Sequence, residues 1–259
     1  MFTQLFKRFS TDLNSITTPT PPYFNNWQTA QNQSDGYATD PVLASIVKAS
    51  RTVAQGDALY DRDGVTYHTF AENAHLVAAL RHILEKEGRF QVLDFGGSLG
   101  STYRQHRWFL SDMTDFVWCV VEQSPFVETG KRLFENNKLK FDTTISSAFK
   151  QYKPNIALLS NALQRIEQPN AVLDELMQLD IPYLFIDQIP TIKGRENRIT
   201  QSVFPAKKCK SSYPSWLFAE DVFKEKLQQY YRILDEFDAN DAQLNLNGVR
   251  HLGFFCEKN

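Results

Sequence analysis

The stretch at residues 89–101 constrains the fold of this chain more than any other. A short apolar run at 90–93 ends in Asp94 and is followed by a turn that contains three glycines, Gly96, Gly97 and Gly100. This order is typical of a strand that opens into a turn whose backbone lies close to a ligand, because side chains in the turn would block the approach. A helix is predicted over residues 102–110, and its free N–H groups would face ligand oxygen atoms.

The spacing of the glycines favours one kind of nucleotide-binding turn over another. The dinucleotide fingerprint requires glycine at positions i, i+2 and i+5, which here are Gly96, Ser98 and Ser101, so it fits poorly. The pattern acid-x-Gly-x-Gly-x-Gly fits better, beginning at Asp94 with Ser98 in the middle glycine position, where a small residue still permits close approach. Glycines also follow strands merely for tight packing, and this simpler alternative stays open for the motif taken alone.

Four more apolar runs follow the glycine turn and alternate with helical patterns. They are predicted to be strands, at residues 116–121, 139–142, 155–160 and 181–186. Apolar runs without interruption suit strands covered on both faces, and the alternation implies right-handed crossovers. The predicted fold class is therefore α/β, with a doubly wound, mainly parallel sheet. Two final runs, at 232–237 and 249–256, predict a terminal antiparallel hairpin joined around residues 245–248.

Polar residues stand at the predicted carboxyl ends of these strands. In a doubly wound sheet those ends lie along one rim, where ligands bind. The residues brought to that rim would be Asp94, Glu122, Ser160, Asn161 and Asp187. A carboxylate can accept hydrogen bonds from both hydroxyls of a ribose, so Glu122 at the end of the second strand is the expected ribose partner.

The chain outside the sheet is predicted to form two leading segments and one insertion. Residues 1–36, rich in Thr, Pro, Asn and Gln, are expected to be a poorly ordered lead-in with Trp27 as an anchor. Residues 37–64 are expected to be an N-terminal helical cap segment, with a helix over 40–56 and a solvated turn at 58–64. Residues 65–259 are expected to form a Rossmann-like domain. It would begin with a helix capped at 69–72, carry a long polar insertion at 189–215, and continue with a helix over 217–231.

Composition limits the partners and the compartment. The formal net charge is −2 without a long run of one sign, so no nucleic-acid partner is expected. No apolar stretch approaches the roughly 18 residues of a membrane span. Residues 1–10 lack the apolar core of a secretory signal, and an alternative for them is a short amphipathic turn on a membrane surface. Three scattered cysteines fit a reducing cytoplasm.

Three histidines do not indicate a metal site. His68, His75 and His82 recur every seven residues, which places neighbours about 10 Å apart along a helix. That separation is too large for them to share one ion, so no metal is expected.

The acidic glycine motif is also the first motif of class I S-adenosylmethionine (AdoMet)-dependent methyltransferases, which the chain resembles over roughly residues 65–256. More narrowly, it resembles a family of bacterial methyltransferases found among surface-polysaccharide genes, which also has Ser at position 98. The segments that carry the resemblance are GY at 36–37, YDRD at 60–63, VLDFGGSLGS at 92–101, VVEQ at 120–123, LLSN at 158–161 with LQ at 163–164, FID at 185–187, RIT at 198–200 and YPSW at 213–216.

The resemblance implies AdoMet as the cofactor and assigns roles to individual residues. The residues implied in cofactor binding are Asp94, Gly96, Gly97, Ser98 and Gly100 around the methionine part, Glu122 with Gln123 at the ribose, Asp142 at the adenine, and Ser160 and Asn161 at the far wall. The residues implied in binding the acceptor are Tyr60, Asp61, Arg62, Asp63, Arg198 and Tyr213.

The resemblance also implies O-methylation of a sugar or glycan precursor in surface-polysaccharide biosynthesis. An oxygen acceptor needs a general base, and Asp187 is the predicted one, with Asp61, Asp63, His106 and His251 as alternatives. Because none of these is an unmistakable base, one alternative function is a noncatalytic AdoMet-binding or scaffold protein of the same pathway. A nicotinamide-dependent enzyme is a third alternative, although the terminal hairpin favours the methyltransferase architecture.

Overall fold

The computed structural model describes residues 23–36, 40–204, 211–239 and 248–259. The strands within them are β1 (Tyr60–Arg62), β2 (Val65–Tyr67), β3 (Phe90–Phe95), β4 (Phe116–Val121), β5 (Leu139–Asp142), β6 (Ile156–Ser160), β7 (Tyr183–Ile192), β8 (Arg198–Val203), β9 (Ser212–Ala219), β10 (Tyr231–Asp238) and β11 (Val249–Lys258). The helices are α1 (Trp27–Asn32), α2 (Asp40–Ala54), α3 (Ala74–Glu87), α4 (Ser101–Gln105), α5 (Arg107–Leu110), α6 (Ser124–Leu133), α7 (Ile145–Tyr152), α8 (Pro169–Gln178) and α9 (Glu220–Gln228), together with a 3-10 turn at Leu163–Arg165.

A central sheet organises the described residues. Five neighbouring strands in the order β7-β6-β3-β4-β5 run parallel to one another. On the other side of β7, β11 and then β10 are added antiparallel. The prediction of a mainly parallel α/β sheet with an antiparallel terminal hairpin is confirmed.

The parallel strands read as continuous apolar runs because both faces of the sheet are covered. Leu93, Cys119 and Leu184 pack in one core cluster with residues of α7, α8 and α9. Their sequence neighbours Val92 and Trp118 belong to a second cluster, which includes residues of α3, α5 and α6. Successive side chains of a strand point to opposite faces, so each run feeds both clusters.

The polar segment at 189–215, predicted to be an insertion, contains strands in the part that the structure describes. β7 extends to Ile192, β8 pairs antiparallel with β9, and the end of β9 pairs with the end of β7. The ribbon buries hydroxyl side chains, among them Thr200 and Ser215, together with apolar ones such as Ile199 and Leu217. The sequence therefore lacks the apolar alternation by which a strand is recognised. The helix predicted over 217–231 begins later, at Glu220.

The N-terminal part also differs from the prediction in its details. The lead-in contains α1, and Trp27 stacks on Trp216 of β9 with ring centroids 5.8 Å apart. The predicted turn at 58–64 is a hairpin, β1–β2. α3 is capped by Asn73, whose side chain accepts from the Leu76 N–H, and not by residues 69–72. The helix predicted over 102–110 is divided at His106 into α4 and α5.

Some predictions concern residues outside the described ranges. These are the lead-in at 1–22 with its membrane-surface turn, Tyr37 of the GY segment, and residues 245–247 of the terminal connection. Within the described ranges, no helix combines the length and the apolar character needed to cross a bilayer.

Candidate functional site

A cavity of about 290 Å³ lies at the carboxyl ends of β3, β4 and β6. Its walls come from five parts of the chain: the glycine turn after β3 with α4, the end of β4, Thr143 after β5, the segment after β6, and the tip of the β1–β2 hairpin. The predicted site residues that line it are Arg62, Asp63, Gly96, Gly97, Ser98, Glu122, Gln123, Ser160 and Asn161. Of the five residues predicted at the rim, Glu122, Ser160 and Asn161 therefore border one space.

The glycine turn lacks side chains where the surrounding chain leaves no room for them. Gly96 has φ +75°, donates its N–H to the Val121 carbonyl, and a Cβ on it would lie 2.6 Å from the Cβ of Ala162. Ser98 adopts φ +56°, so a non-glycine residue holds a left-handed conformation at the cavity wall. Such conformations cost free energy and cluster at functional sites.

Glu122 meets this turn across adjacent strands. Phe95 and Val121 are paired in register, so the residues that follow them emerge side by side. The Ser98 N–H donates to Glu122 Oε1 at 3.3 Å, and the Gln123 N–H donates to Oε2 at 2.9 Å. Burial raises the pKa of the half-buried Glu122 carboxyl, whereas these two N–H donors lower it. The cavity thus places a carboxylate beside a backbone donor.

Asp94 supports the glycine turn from beneath and does not line the cavity, which corrects its predicted contact with a ligand. Trp118 Nε1 donates to Asp94 Oδ2 at 2.8 Å, and a Cβ on Gly97 would overlap the Asp94 carboxylate. Burial is the main cause that raises the pKa of Asp94 to about 7, Trp118 opposes it, and the charge of Glu122 adds to it. Gly100 also lies off the cavity, with φ +88°, against the side chain of Leu139.

The carboxylate of Asp142, the predicted adenine contact, accepts hydrogen bonds within the turn that starts α7. Its Oδ1 accepts from the Thr143 and Thr144 N–H groups at 2.7 and 3.3 Å, and its Oδ2 accepts from Ser147 Oγ at 2.7 Å. Thr143 lines the cavity in its place. The predicted residue, Asp142, directly precedes the residue that reaches the cavity.

Asp187, the predicted base, is buried and does not line the cavity. Its Oδ2 accepts from Asn73 Nδ2 at 2.7 Å, and its backbone carbonyl accepts from the Asn161 N–H at 3.0 Å. Asp187, in the middle of β7, therefore supports the neighbouring wall of the cavity instead of presenting a carboxylate to it.

Neither histidine that was considered as a base faces the cavity. His106 is buried, and its Nε2 accepts from the Asn73 N–H at 3.2 Å while Nδ1 lies 2.8 Å from the Thr102 carbonyl. Because Nε2 is the acceptor, Nδ1 is the nitrogen that carries the proton. Burial lowers the pKa of His106. His251 lies on β11, where it is paired in register with Pro190 of β7.

The hairpin supplies two of the predicted acceptor-binding residues to the cavity and buries the others. Arg62 and Asp63 line the cavity, and Asp63 takes φ +46° at the hairpin tip. Tyr60 is buried and stacks on Tyr67 with ring centroids 4.6 Å apart. Asp61 is buried in an ion pair with Arg104 at 3.1 Å. Tyr60 and Asp61 are therefore structural, which corrects their predicted contact with an acceptor.

The residues predicted from the later segments also lie off the cavity. Tyr213 is buried in a cluster with Val42 and Phe126. Arg198 is exposed, with its guanidinium 5.2 Å from the centre of the Tyr23 ring. Neither is among the lining residues.

Arg165 is a lining residue that the sequence analysis missed. It follows β6 in the 3-10 turn, and its two terminal nitrogens bind the Asp63 carboxylate at 3.1 and 2.8 Å. Its guanidinium also lies 5.1 Å from the centre of the Tyr213 ring. The pair joins residues that are 102 positions apart, so no local sequence signal could have indicated it. The cavity is also lined by three residues of α4 that the sequence analysis did not predict: Ser101, Thr102 and Gln105.

The fold is similar to solved structures at low sequence identity. One is the N-terminal domain of EvdMO1, crystallised in the presence of SAH and D-fucose. It matches with a TM-score of 0.51 and 10% identity, over 86% of this chain and 99% of that chain. The same domain with SAH bound gives a TM-score of 0.50 and 10% identity, over 83% and 97% of the two chains. At this identity the similarity shows the fold alone. No family model matches the chain, and no curated protein matches it in sequence.

Proposed function

We propose that this chain is an AdoMet-dependent methyltransferase. The observation that carries the proposal is the meeting of the Ser98 N–H and the Glu122 carboxylate at one cavity, at the ends of adjacent parallel strands. A carboxylate there can accept from both ribose hydroxyls, and the glycine turn leaves backbone open to the rest of a nucleoside ligand. The shared fold with a domain solved with SAH bound supports the same cofactor.

Residues of this chain fit the separate parts of AdoMet. Glu122 and Gln123 would hold the ribose, and Gly96, Gly97 and Ser98 would surround the methionine part. Thr143, beside Glu122 at the end of the neighbouring strand, would replace Asp142 at the adenine. AdoMet supplies a methyl group on a sulfonium leaving group. The chain's own contribution is then to align the acceptor and exclude water, and such positioning is worth up to about 7–11 kcal/mol.

The side of the cavity nearest the hairpin suits a hydroxylated acceptor. Planar polar side chains lie here: Arg62 and Arg165 donate hydrogen bonds, Asp63 accepts them, and Gln105 and Asn161 can do both. Together with the resemblance to methyltransferases from surface-polysaccharide genes, this supports O-methylation of a sugar or glycan precursor. Of the predicted bases, Asp63 is the one that lines the cavity. It therefore replaces Asp187 as the carboxylate proposed to receive the acceptor's proton.

A noncatalytic AdoMet-binding protein is the second candidate. The Arg165 guanidinium donates to both carboxylate oxygens of Asp63. This contact stabilises the charged carboxylate and so opposes proton transfer to it, which favours the noncatalytic candidate. Incubation with methyl-labelled AdoMet and fractions of a cell extract separates the two functions. Label transferred to any glycan fraction would eliminate the noncatalytic candidate.

Calorimetric titration with AdoMet tests the proposed cofactor. We expect the wild type to bind AdoMet and Glu122→Ala to bind at least tenfold more weakly, because the ribose loses its carboxylate partner. Glu225→Ala is the matched control, since this exposed acid pairs with Arg195 at the surface and should leave the affinity unchanged. Binding of NAD without binding of AdoMet would overturn the proposal in favour of a nicotinamide-dependent enzyme.

A further inference from the structure

A second and larger cavity, of about 580 Å³, lies in a groove between α2 and α6. The inner faces of the two helices pack together, with Val42 and Ile46 of α2 buried in a cluster with Phe126 of α6. Leu43 and Val47 of α2, which pack against this cluster, also line the groove. Its lining residues are distinct from those of the cavity at Glu122.

Three exposed basic residues line this groove: Lys48 and Arg51 from α2, and Arg132 from α6. Asp40 is the single acid among the lining residues, so the groove carries an excess of two positive charges although the whole chain has a net charge of −2. Within the part of the chain that the structure describes, none of the three makes an ion pair. Like charges three residues apart, such as Lys48 and Arg51, destabilise a helix unless an anion offsets them.

The rest of the groove is both apolar and hydrogen-bonding. Leu43, Ala44 and Val47 contribute aliphatic surface, and Gln55 and Thr129 contribute hydrogen-bond donors, whereas the Thr52 hydroxyl already donates to the Lys48 carbonyl. A phosphate monoester carries a charge of about −1.5 to −2 at neutral pH and three acceptor oxygens. This charge matches the excess of two positive charges, and the aliphatic residues provide a place for an attached apolar group.

We propose that the α2–α6 groove binds a phosphate monoester that carries an apolar chain. The ligand is either a soluble phosphorylated amphiphile or the headgroup of such a lipid in a bilayer, because the two present the same chemistry to the groove. The proposal does not depend on methyl transfer.

Helix electrostatics offers a competing explanation for two of the cations. Arg51 lies in the last turn of α2 and Arg132 in the last turn of α6, where positive charge interacts favourably with the free carbonyls. That explanation predicts a loss of stability when the arginines are removed, and it predicts no ligand.

The test is a titration of the whole chain with monomeric dihexanoyl phosphatidic acid. We expect saturable binding that weakens on the order of 100-fold in the triple variant Lys48→Gln, Arg51→Gln, Arg132→Gln. Each basic residue near an anionic lipid contributes about 1 kcal/mol, or roughly fivefold. The matched control replaces three exposed basic residues that do not line the groove, Arg89→Gln, Lys150→Gln and Lys193→Gln, and should bind like the wild type. AdoMet affinity, unchanged in both triple variants, shows that each is folded.

Two further titrants separate the sources of the ligand. Sedimentation with phosphatidylcholine vesicles that contain phosphatidic acid, compared with pure phosphatidylcholine, identifies a bilayer headgroup. Binding of the monomeric lipid alone identifies a soluble amphiphile. The proposal is overturned if the wild type binds neither, if the control triple loses as much affinity as the groove triple, or if inorganic phosphate binds as tightly as the lipid. The single variant Arg132→Gln, with an expected loss of about fivefold, replaces the triple if that variant does not fold.

Discussion

Asp94 is a buried acid beneath the glycine turn, and its surroundings make it a support for that turn. Trp118 donates to one of its oxygens, and Gly97 lies against the carboxylate with no space for a Cβ. Burial raises the pKa of Asp94 to about 7, within the range of ordinary assays. Asp94, which lies beneath the glycine turn of the candidate site, therefore changes its charge near neutral pH.

The titration of Asp94 predicts a pH dependence of stability. In the unfolded chain an aspartate is ionised above about pH 4, whereas in the folded chain Asp94 keeps its proton up to about pH 7. The folded state binds more protons between these values, so the free energy of unfolding falls as the pH rises from 5 to 8. Asp94→Asn keeps a side-chain oxygen for Trp118 and removes the titration. Urea unfolding should show a difference between the two proteins that changes on the order of 3 kcal/mol across this range. Parallel pH profiles would contradict the prediction.

Single residues also mark the limit of what the sequence could predict. Glu122 could be placed at the site because it directly follows a continuous apolar run, and strand ends meet along one rim. Arg165 could not, because its partner Asp63 lies on a separate hairpin and only the folded chain brings the two together. Tyr60 and Asp61 look as accessible in sequence as Arg62 and Asp63, yet strand pairing turns them inward.

At the scale of elements, the hairpin and α2 are fastened to the glycine turn through Arg104. This buried guanidinium donates to the Leu99 carbonyl at 2.6 Å, to Ser50 Oγ at 2.8 Å and to Asp61 Oδ1 at 3.1 Å. One side chain of α4 thus joins the turn at the cavity to α2 and β1. The position of the hairpin tip depends on this cluster.

Removing the charge of Asp61 should therefore destabilise the fold. The Asp61 side chain is 0% exposed and that of Arg104 is 8% exposed, so Asp61→Asn leaves a buried guanidinium without its carboxylate. We expect a loss of about 3–5 kcal/mol in the free energy of unfolding. Glu225→Gln is the control, because its pair with Arg195 is exposed on both sides and such pairs contribute about 0–1 kcal/mol. Chemical denaturation measures both changes, and equal effects would show that the buried cluster is not a structural support.

Elements differed in how far the sequence predicted them, for a physical reason. The parallel strands are buried on both faces and read as apolar runs, so their positions could be predicted closely. The β8–β9 ribbon buries Thr200, Ser202 and Ser215, whose hydroxyls give no apolar pattern. α3 begins after the Asn73 cap, whereas the capping-box pattern in the sequence had placed its start at residues 69–72.

At the scale of the whole molecule, the sheet order brings distant segments of the chain to one cavity. The glycine turn and Glu122 follow neighbouring strands, Arg165 follows the next strand on the other side, and Asp63 reaches over from the hairpin. The α2–α6 groove lies outside this arrangement, so the two sites can be tested independently.

A crystal structure of the chain with SAH tests the central claim most directly. We predict that the Glu122 carboxylate lies within hydrogen-bonding distance of both ribose hydroxyls, and that the backbone of residues 96–98 contacts the amino acid part of the ligand. SAH bound elsewhere, or bound in this cavity with its ribose turned away from Glu122, would contradict the account.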